Sequence, residues 1–304
     1  MIPALEKPKW IAVDWGTTHL RAWAMGGGNE VLDLANSDDG MSKLKPSDFE
    51  PALIRLVAHW LGAGKTPVIA CGMVGARQGW TEAPYRAVPC AAQAGDLISA
   101  PCADPRLDVR IIPGVKQTNP ADVMRGEETQ IAGFIAKNPN YDGVLCLPGT
   151  HSKWVHISAS EIVSFRTFMT GELFDLLGTG SVLRHSIAPK GWDQEAFLAA
   201  MSETLSRPEQ IAARLFSLRA ESLLNNQDPE TARARLSGLL IGMELAAAKP
   251  YWLGQLVAVI GAAVLTRTYA SALKELGAVP SVAEGSAMTQ AGLISAYETM
   301  KDAL

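Results

Sequence analysis

The stretch Trp10-Ile11-Ala12-Val13-Asp14-Trp15-Gly16-Thr17-Thr18-His19-Leu20-Arg21-Ala22-Trp23 constrains this chain more than any other. Its apolar run from Trp10 to Val13 reads as a buried strand. A carboxylate follows, then Gly-Thr-Thr, then an alternating segment in which Leu20, Ala22 and Ala24 share one face. The pattern predicts a β-hairpin whose turn is more polar than turn chemistry requires. Gly16 lets the backbone approach another group closely. Thr17 and Thr18 offer hydroxyls and backbone N–H groups, the means by which phosphate oxygens are held. Asp14, at the strand end, can hold Mg²⁺ through water. An ordinary hairpin with Asp and Thr as turn residues is the competing reading, and this stretch alone leaves both open.

A second stretch has the same plan. Val144-Leu145-Cys146-Leu147-Pro148-Gly149-Thr150-His151-Ser152-Lys153-Trp154-Val155-His156-Ile157 is again an apolar strand, a glycine–hydroxyl turn and a return strand. Ile162–Phe168 then reads as a third strand, as Glu30–Ala35 does after the first hairpin. Two such openings in one chain predict two related halves. On these motifs the sequence resembles the acetate and sugar kinase, heat-shock cognate and actin superfamily. Asp14-Trp15-Gly16-Thr17-Thr18 matches its first phosphate motif, and Pro148-Gly149-Thr150-His151-Ser152-Lys153 its second. Together with the segments Gly72–Trp80 and Met124–Ile131, the wording is similar to that of the 2-dehydro-3-deoxygalactonokinases, bacterial sugar-acid kinases.

Composition narrows the classes. A length of 304 residues is a prior for about two domains. With 48% hydrophobic and 19% charged residues, a large core can be buried. A net charge of −4 without a Lys/Arg run offers nothing to recruit nucleic acid, so small anions must be caught by a few local cations. Cys71, Cys90, Cys102 and Cys146 form no CxxC pair, which argues for reduced cysteines in a cytoplasmic protein. The N-terminus lacks the apolar region of a signal peptide. No apolar run reaches the ~18 residues that would span a bilayer, so no membrane partner is expected.

Between the motifs, the polar run Asn36–Met41 reads as a solvated loop. The loop Gly72-Met73-Val74-Gly75-Ala76-Arg77-Gln78-Gly79-Trp80 carries recognition chemistry. Arg77 can grip a carboxylate bidentately, Gln78 can hydrogen-bond a hydroxyl or keto oxygen, and Trp80 can wall a site or simply pack. Residues 90–108 read as a short helix and loop. Asn119 as N-cap and Pro120 at the first helical position predict a helix to about Lys137, carrying Asp122, Arg125, Glu127 and Glu128. Residues 194–248 read as mostly helical. Leu256–Ile260 reads as a strand, and Gly261 as its turn into a helix, a place for adenosine and its α-phosphate. The superfamily's adenosine motif often has two adjacent glycines, and here Gly261 is followed by alanine. Ala287, Ala291 and Gly292 suit a final helix that crosses another closely.

The resemblance implies an α/β fold of two actin-like, ribonuclease H-like halves with mixed sheets around a nucleotide cleft. The first half spans 1–118 and is completed by a C-terminal helix at 286–304; residues 119–285 supply a connecting helix and the second half. It implies transfer of a phosphoryl group from ATP, with Mg²⁺, to the 6-hydroxyl of 2-dehydro-3-deoxy-D-galactonate in galactonate catabolism. Asp14 then holds the metal. Gly16, Thr17, Thr18, Gly149, Thr150, His151, Ser152 and Gly261 hold the nucleotide, and Arg77, Gln78, Trp80 and Glu128 the substrate. Lys153 neutralises developing charge or holds the substrate carboxylate. Glu127 is the expected general base, with Glu128 and Asp122 as rivals. A kinase for the gluconate-derived epimer, a phosphatase of the same superfamily and a non-catalytic regulator are the alternatives. A polyphosphate phosphatase needs a long basic channel, and the weak cation content argues against one. A first strand near residue 10 leaves no room for the DNA-binding segment such regulators carry. A homodimer is compatible with the sequence and is not specified by it.

Overall fold

The structure, a computed structural model, describes residues 7–302. In chain order, β1 (Trp10–Trp15), β2 (Leu20–Met25) and β3 (Val31–Ser37) form a meander, followed by α1 (Phe49–Val57) and β4 (Thr66–Gly72). Three two-residue strands, β5 (Arg86–Ala87), β6 (Cys90–Ala91) and β7 (Ile98–Ser99), precede β8 (Leu107–Ile111). The hairpin of β9 (Val115–Thr118) and β10 (Ala121–Met124) leads into α2 (Glu127–Lys137). A second meander follows: β11 (Gly143–Leu147), β12 (Ser152–Ser158) and β13 (Glu161–Phe168). Then come α3 (Thr170–Asp175), α4 (Gln194–Ser206), α5 (Ile211–Leu224), α6 (Pro229–Ala247) and α7 (Lys249–Trp252). β14 (Val257–Gly261), α8 (Ala263–Glu275), β15 (Ser281–Glu284) and α9 (Gly285–Asp302) complete the order. None of the helices is long and apolar enough to cross a membrane among the described residues.

The chain forms two compact units. The first holds the residues up to Tyr141, Ser158–Ser164 and those from Gly285 on; the second holds Asp142–Ile157 and Phe165–Glu284. In the first unit the sheet order is β3-β2-β1-β4-β8-β7. β1 is antiparallel to β2 and parallel to β4, so it lies inside the sheet with both faces covered. That is why its run is continuously apolar. Ile11, Val13 and Trp15 pack with Leu20, Ala22 and Ala24 on the face that receives Phe49, Ala52, Leu53 and Val57 of α1. The opposite face carries Trp10, Ala12, Trp23 and Met25 under Leu293 and Ala296 of α9. Trp10 stacks on Tyr297 with ring centroids 4.3 Å apart.

In the second unit β11 pairs antiparallel with β12 and parallel with β14, which is in turn parallel to β15. Its helical layer is built on α4 against α6. Gly238 and Gly242 admit the close crossing: a methyl group on Gly238 would overlap the Phe197 carbonyl oxygen.

Three expectations are corrected here. Asn119-Pro120 does not start a helix. It is the turn between β9 and β10, and α2 begins only at Glu127, after Gly126 at φ 105°. Residues 90–108 contain short strands and no helix. The division between the halves also differs from 118/119, because α2 belongs to the first unit. The cause is its seam with α9: a methyl group on Gly133 would overlap Met288 O, and one on Gly292 would overlap Thr129 O.

Candidate active site

In the first unit, the turn after β1 closes by a hydrogen bond from Gly16 N–H to His19 O of 2.9 Å. Thr17 and Thr18 are exposed and Gly16 is half-buried. The run at residues 36–41, expected to be a solvated loop, instead returns over this turn. Met41 N–H donates to Gly16 O and Ser42 N–H to Thr17 O, both at 3.0 Å, and Trp15 Nε1 donates to Asp39 O at 2.8 Å. Ser42 Oγ adds a bond to Thr17 O at 2.8 Å. Asp39, Gly40, Met41 and Ser42 thus shape the turn, a role that a polar loop does not announce.

Asp14 lies at the end of β1 on the face of Trp10 and Ala12. Its Oδ2 accepts from Arg21 Nη2 at 2.9 Å, while Arg21 Nη1 donates to Ser286 Oγ at 2.9 Å. The Cys71 thiol is 3.9 Å from Asp14 Oδ1. Burial, then the Asp14 and Glu128 carboxylates, push that thiol well above its ordinary pKa, so Cys71 is an uncharged spacer between two acids.

Glu128 is 1% exposed in the first turn of α2. Its Oε2 accepts from Gly126 N–H at 2.6 Å and its Oε1 from Thr129 Oγ1 at 3.2 Å. Burial, and next the charge of Glu127, raise its pKa to about 7 in spite of these donors. Glu127 is half-buried, and its Oε2 accepts from Arg125 N–H at 3.1 Å. Of the two, Glu127 is the carboxylate that a ligand can reach in this state. Asp122 lies on β10, outside the helix expected to carry it. The Arg125 guanidinium lies 4.3 Å from the Tyr85 ring centroid and donates to Ala83 O at 2.8 Å.

In the loop that leaves β4, Arg77 and Gln78 are exposed. Trp80 does not wall an open site. It is buried against Trp15, with ring centroids 6.3 Å apart, and its Nε1 donates to Pro101 O at 3.0 Å. Gly72 has φ 88°, and a methyl group there would stand 2.6 Å from Trp15 O, so this bend admits only glycine.

The second unit gathers its candidates around the turn Gly149–Ser152. Gly261, at the end of β14, lies beside it, since a Cβ would stand 3.3 Å from Pro148 O. Ser152 is buried, with Oγ 3.0 Å from Tyr269 OH. His151 Nε2 is 2.7 Å from Glu172 Oε2. Glu172 N–H donates to Thr150 O at 2.9 Å. Lys153 is not an open cation: it is buried, and Nζ donates to Thr167 Oγ1 at 2.8 Å.

In the sequence, Glu244 of α6 carries no role of its own; it ends the segment Gly238–Glu244, which the resemblance allows to border an adenine. It is buried and accepts from Trp154 Nε1 at 2.7 Å, Tyr269 OH at 2.8 Å and Thr170 Oγ1. Burial raises its pKa against the pull of these donors. It ties β12, α3 and α8 to one point. The one available signal was a carboxylate within the apolar run Leu239–Leu245. A cavity of about 800 Å³ opens beside Gly149 and Gly171, walled by Phe174, Trp192, Leu240 and Val264, with Arg233 and Thr268 as polar groups.

Among the described residues, no three His, Cys, Asp or Glu side chains gather to cage a metal. A lone carboxylate at Asp14 still fits Mg²⁺, which keeps several waters and relies on phosphate oxygens rather than on an all-protein cage.

Paired meanders with glycine–hydroxyl turns, each opening a mixed sheet, define the actin-like class of nucleotide-binding fold. The activator of 2-hydroxyisocaproyl-CoA dehydratase from Clostridium difficile, solved with ADPNP, shares that fold with a TM-score of 0.55 at 12% identity, covering 97% of this chain and 96% of its own. Within the class, the chain belongs to the 2-keto-3-deoxy-galactonokinase family, whose model matches residues 14–296. It is 38% identical to a protein of Rhizobium meliloti (strain 1021) assigned as 2-dehydro-3-deoxygalactonokinase, over 94% of this chain and 95% of the relative. It is 36% identical to the 2-dehydro-3-deoxygalactonokinase of Escherichia coli (strain K12), over 94% and 97%. A crystal structure from Sinorhizobium meliloti, assigned to the same activity, superposes with a TM-score of 0.90 at 38% identity, covering 96% of this chain and 99% of that one.

Proposed function

We propose that this protein transfers the γ-phosphoryl group of ATP to the 6-hydroxyl of 2-dehydro-3-deoxy-D-galactonate. The observation that carries the reading is the match over 94% of the chain to relatives bearing the name of that activity. Phosphoryl transfer asks mainly for positioning and charge neutralisation, and each unit has parts suited to that.

In the second unit, the cavity takes adenosine: Phe174, Trp192, Leu240 and Val264 offer apolar walls, and Arg233 and Thr268 fix orientation. Gly149, Thr150 and His151 present backbone N–H groups to phosphate oxygens, with Gly261 leaving room beside them. The Ser152 hydroxyl, held on Tyr269, keeps the turn in shape. Lys153 adds a fixed positive charge one residue beyond the turn.

In the first unit, Gly16, Thr17 and Thr18 offer phosphate oxygens the same groups. Mg²⁺, when bound, neutralises phosphate charge, and Asp14 is the residue that would hold it, through water. Arg77 takes the substrate carboxylate and Gln78 its keto or hydroxyl oxygen. Glu127 accepts the proton of the 6-hydroxyl as the new O–P bond forms. The bond from the γ-phosphorus to the β–γ bridging oxygen breaks, and ADP leaves. Glu128, buried behind Glu127, sets the electrostatics of this helix end.

The experiment is a coupled ADP-release assay with Mg-ATP and three conditions: 2-dehydro-3-deoxygalactonate, its gluconate epimer, and no sugar acid. ADP release dependent on the galactonate-derived acid is expected. Release with the gluconate epimer alone would reassign the substrate. Release into water without either acid would make the protein a hydrolase, and nucleotide binding without release would make it a regulator.

A further inference from the structure

We propose that Gly40 and Gly171 are positioning residues for the two phosphate turns. Each is a wedge seated so close behind its turn that a hydrogen fits where a side chain would begin. The proposal deepens the kinase reading and rests on it.

In the first unit, the chain leaves β3 at Ser37 and passes behind the β1–β2 turn at Gly40. A methyl group on Gly40 would overlap Thr17 O and the backbone of Thr18. Beyond it, Met41 N–H donates to Gly16 O and Ser42 N–H to Thr17 O, both at 3.0 Å. In the second unit, the chain leaves β13 at Phe168 and passes behind the β11–β12 turn at Gly171. A methyl group on Gly171 would overlap Gly149 O and stand 2.9 Å from Thr150 Cα. Beyond it, Glu172 N–H donates to Thr150 O at 2.9 Å. Both units therefore place the same parts in the same order after the third strand. A glycine lies against the turn, and a later N–H holds the carbonyl of the turn's first threonine.

Neither glycine is there for its backbone freedom. Gly40 has φ −69° and ψ 161°, a conformation open to any residue, and Gly171 lies within α3. Space alone excludes a larger residue. The atoms in the way are backbone atoms of the turn, which cannot swing aside as the end of a long side chain can.

The consequence for phosphate follows from peptide geometry. In a trans peptide the C=O and the next N–H point in opposite directions. Holding Gly16 O and Thr17 O from behind aims the N–H groups of Thr17 and Thr18 forward. Holding Thr150 O aims the N–H of His151 forward. The wedges thus fix the direction of the donors that take phosphate oxygens. A displacement of about 1 Å at such groups can cost on the order of 10²-fold in rate.

The test compares Gly40→Ala and Gly171→Ala with Gly64→Ala and Gly178→Ala, whose added methyl groups would meet nothing within 4 Å. Expected is a loss of about 10- to 100-fold in kcat/KM for Mg-ATP in each wedge variant, with KM for the sugar acid within about twofold of wild type. The control variants should stay within about twofold for both substrates. The thermal shift caused by Mg-ADP, measured alongside, should shrink in the wedge variants and not in the controls. Ser42→Ala, which removes the 2.8 Å bond to Thr17 O without adding bulk, should raise KM for Mg-ATP about threefold. Wild-type nucleotide parameters in Gly40→Ala and Gly171→Ala would overturn the proposal. So would an equal rise in KM for both substrates. If the wedge variants fail to fold, an unchanged Ser42→Ala overturns it. A wild-type protein that neither turns over nor responds to Mg-ADP would instead sink the kinase reading itself.

Discussion

Replacing Glu128 by glutamine removes a buried ionisable group while keeping its shape and its acceptor for Gly126 N–H. Burial and the neighbouring Glu127 raise the Glu128 carboxyl from an ordinary 4.5 to about 7. Between those values the folded protein keeps a proton that the unfolded chain has released, so stability falls as pH rises. The contribution is fully present below about pH 4.5 and is lost as pH passes about 7. At 1.36 kcal/mol per unit, the gap is worth about 3 kcal/mol. The wild type carries that loss at pH 8.5, and the variant does not. The stability difference between Glu128→Gln and wild type should therefore move by about 2–3 kcal/mol in the variant's favour between pH 4.5 and pH 8.5. In a thermal melt this is roughly 5–10 °C. The assay is urea unfolding of both proteins at the two pH values, followed through the transition of the first unit. A difference that stays constant with pH would refute the assignment of Glu128 as the protonated acid of this helix end.

Glu127→Gln should lower kcat by about 10²–10⁴-fold with KM for Mg-ATP little changed; wild-type turnover would remove Glu127 from the role of base. Arg77→Ala should raise KM for the sugar acid about tenfold or more, as expected for losing a charge-assisted pair, and leave KM for Mg-ATP alone. An unchanged KM for the sugar acid would free Arg77 of that role. Trp80→Phe leaves Pro101 O unpaired and should cost about 1–2 kcal/mol in unfolding measurements, with kinetic constants unchanged. A rise in KM for the sugar acid would return Trp80 to the wall of the site.

The motifs were legible because their chemistry is local. Leu20, Ala22 and Ala24 alternate, and they do share a face with Ile11, Val13 and Trp15. Gly261 was expected at the end of a strand beside a helix start, and it lies there, between β14 and α8. Residues whose role depends on distant partners were less legible. Asn119-Pro120 satisfies a helix start and a hairpin turn equally, and only the pairing of β9 with β10 decides between them. Trp80 looked like a site residue because a Trp in a glycine-rich loop has no visible core to enter. Its core is Trp15, far away in sequence. Lys153 stands in a phosphate-type motif, yet strand alternation and Thr167 on the neighbouring strand take its ammonium group inside. The three hydrogen bonds that fix Glu244 come from β12, α3 and α8, which no local pattern could have joined.

The covering of Trp10, Ala12, Trp23 and Met25 by α9 bears on how the protein is made. A ribosome delivers the strands of the first sheet early and α9 only after the whole of the second unit, Asp142–Ile157 and Phe165–Glu284. At ordinary elongation rates of roughly 5–20 residues per second, the interval is on the order of ten seconds. During it one apolar sheet face, with two tryptophans, lacks the cover of Leu293, Ala296 and Tyr297, while the second unit already has its own core. The nascent chain therefore passes through a stage in which its later-made unit is finished and its earlier-made one is not. That stage is where a chaperone would find its substrate, and where loss of Leu293, Ala296 or Tyr297 would be felt as poor yield before it was felt as poor catalysis.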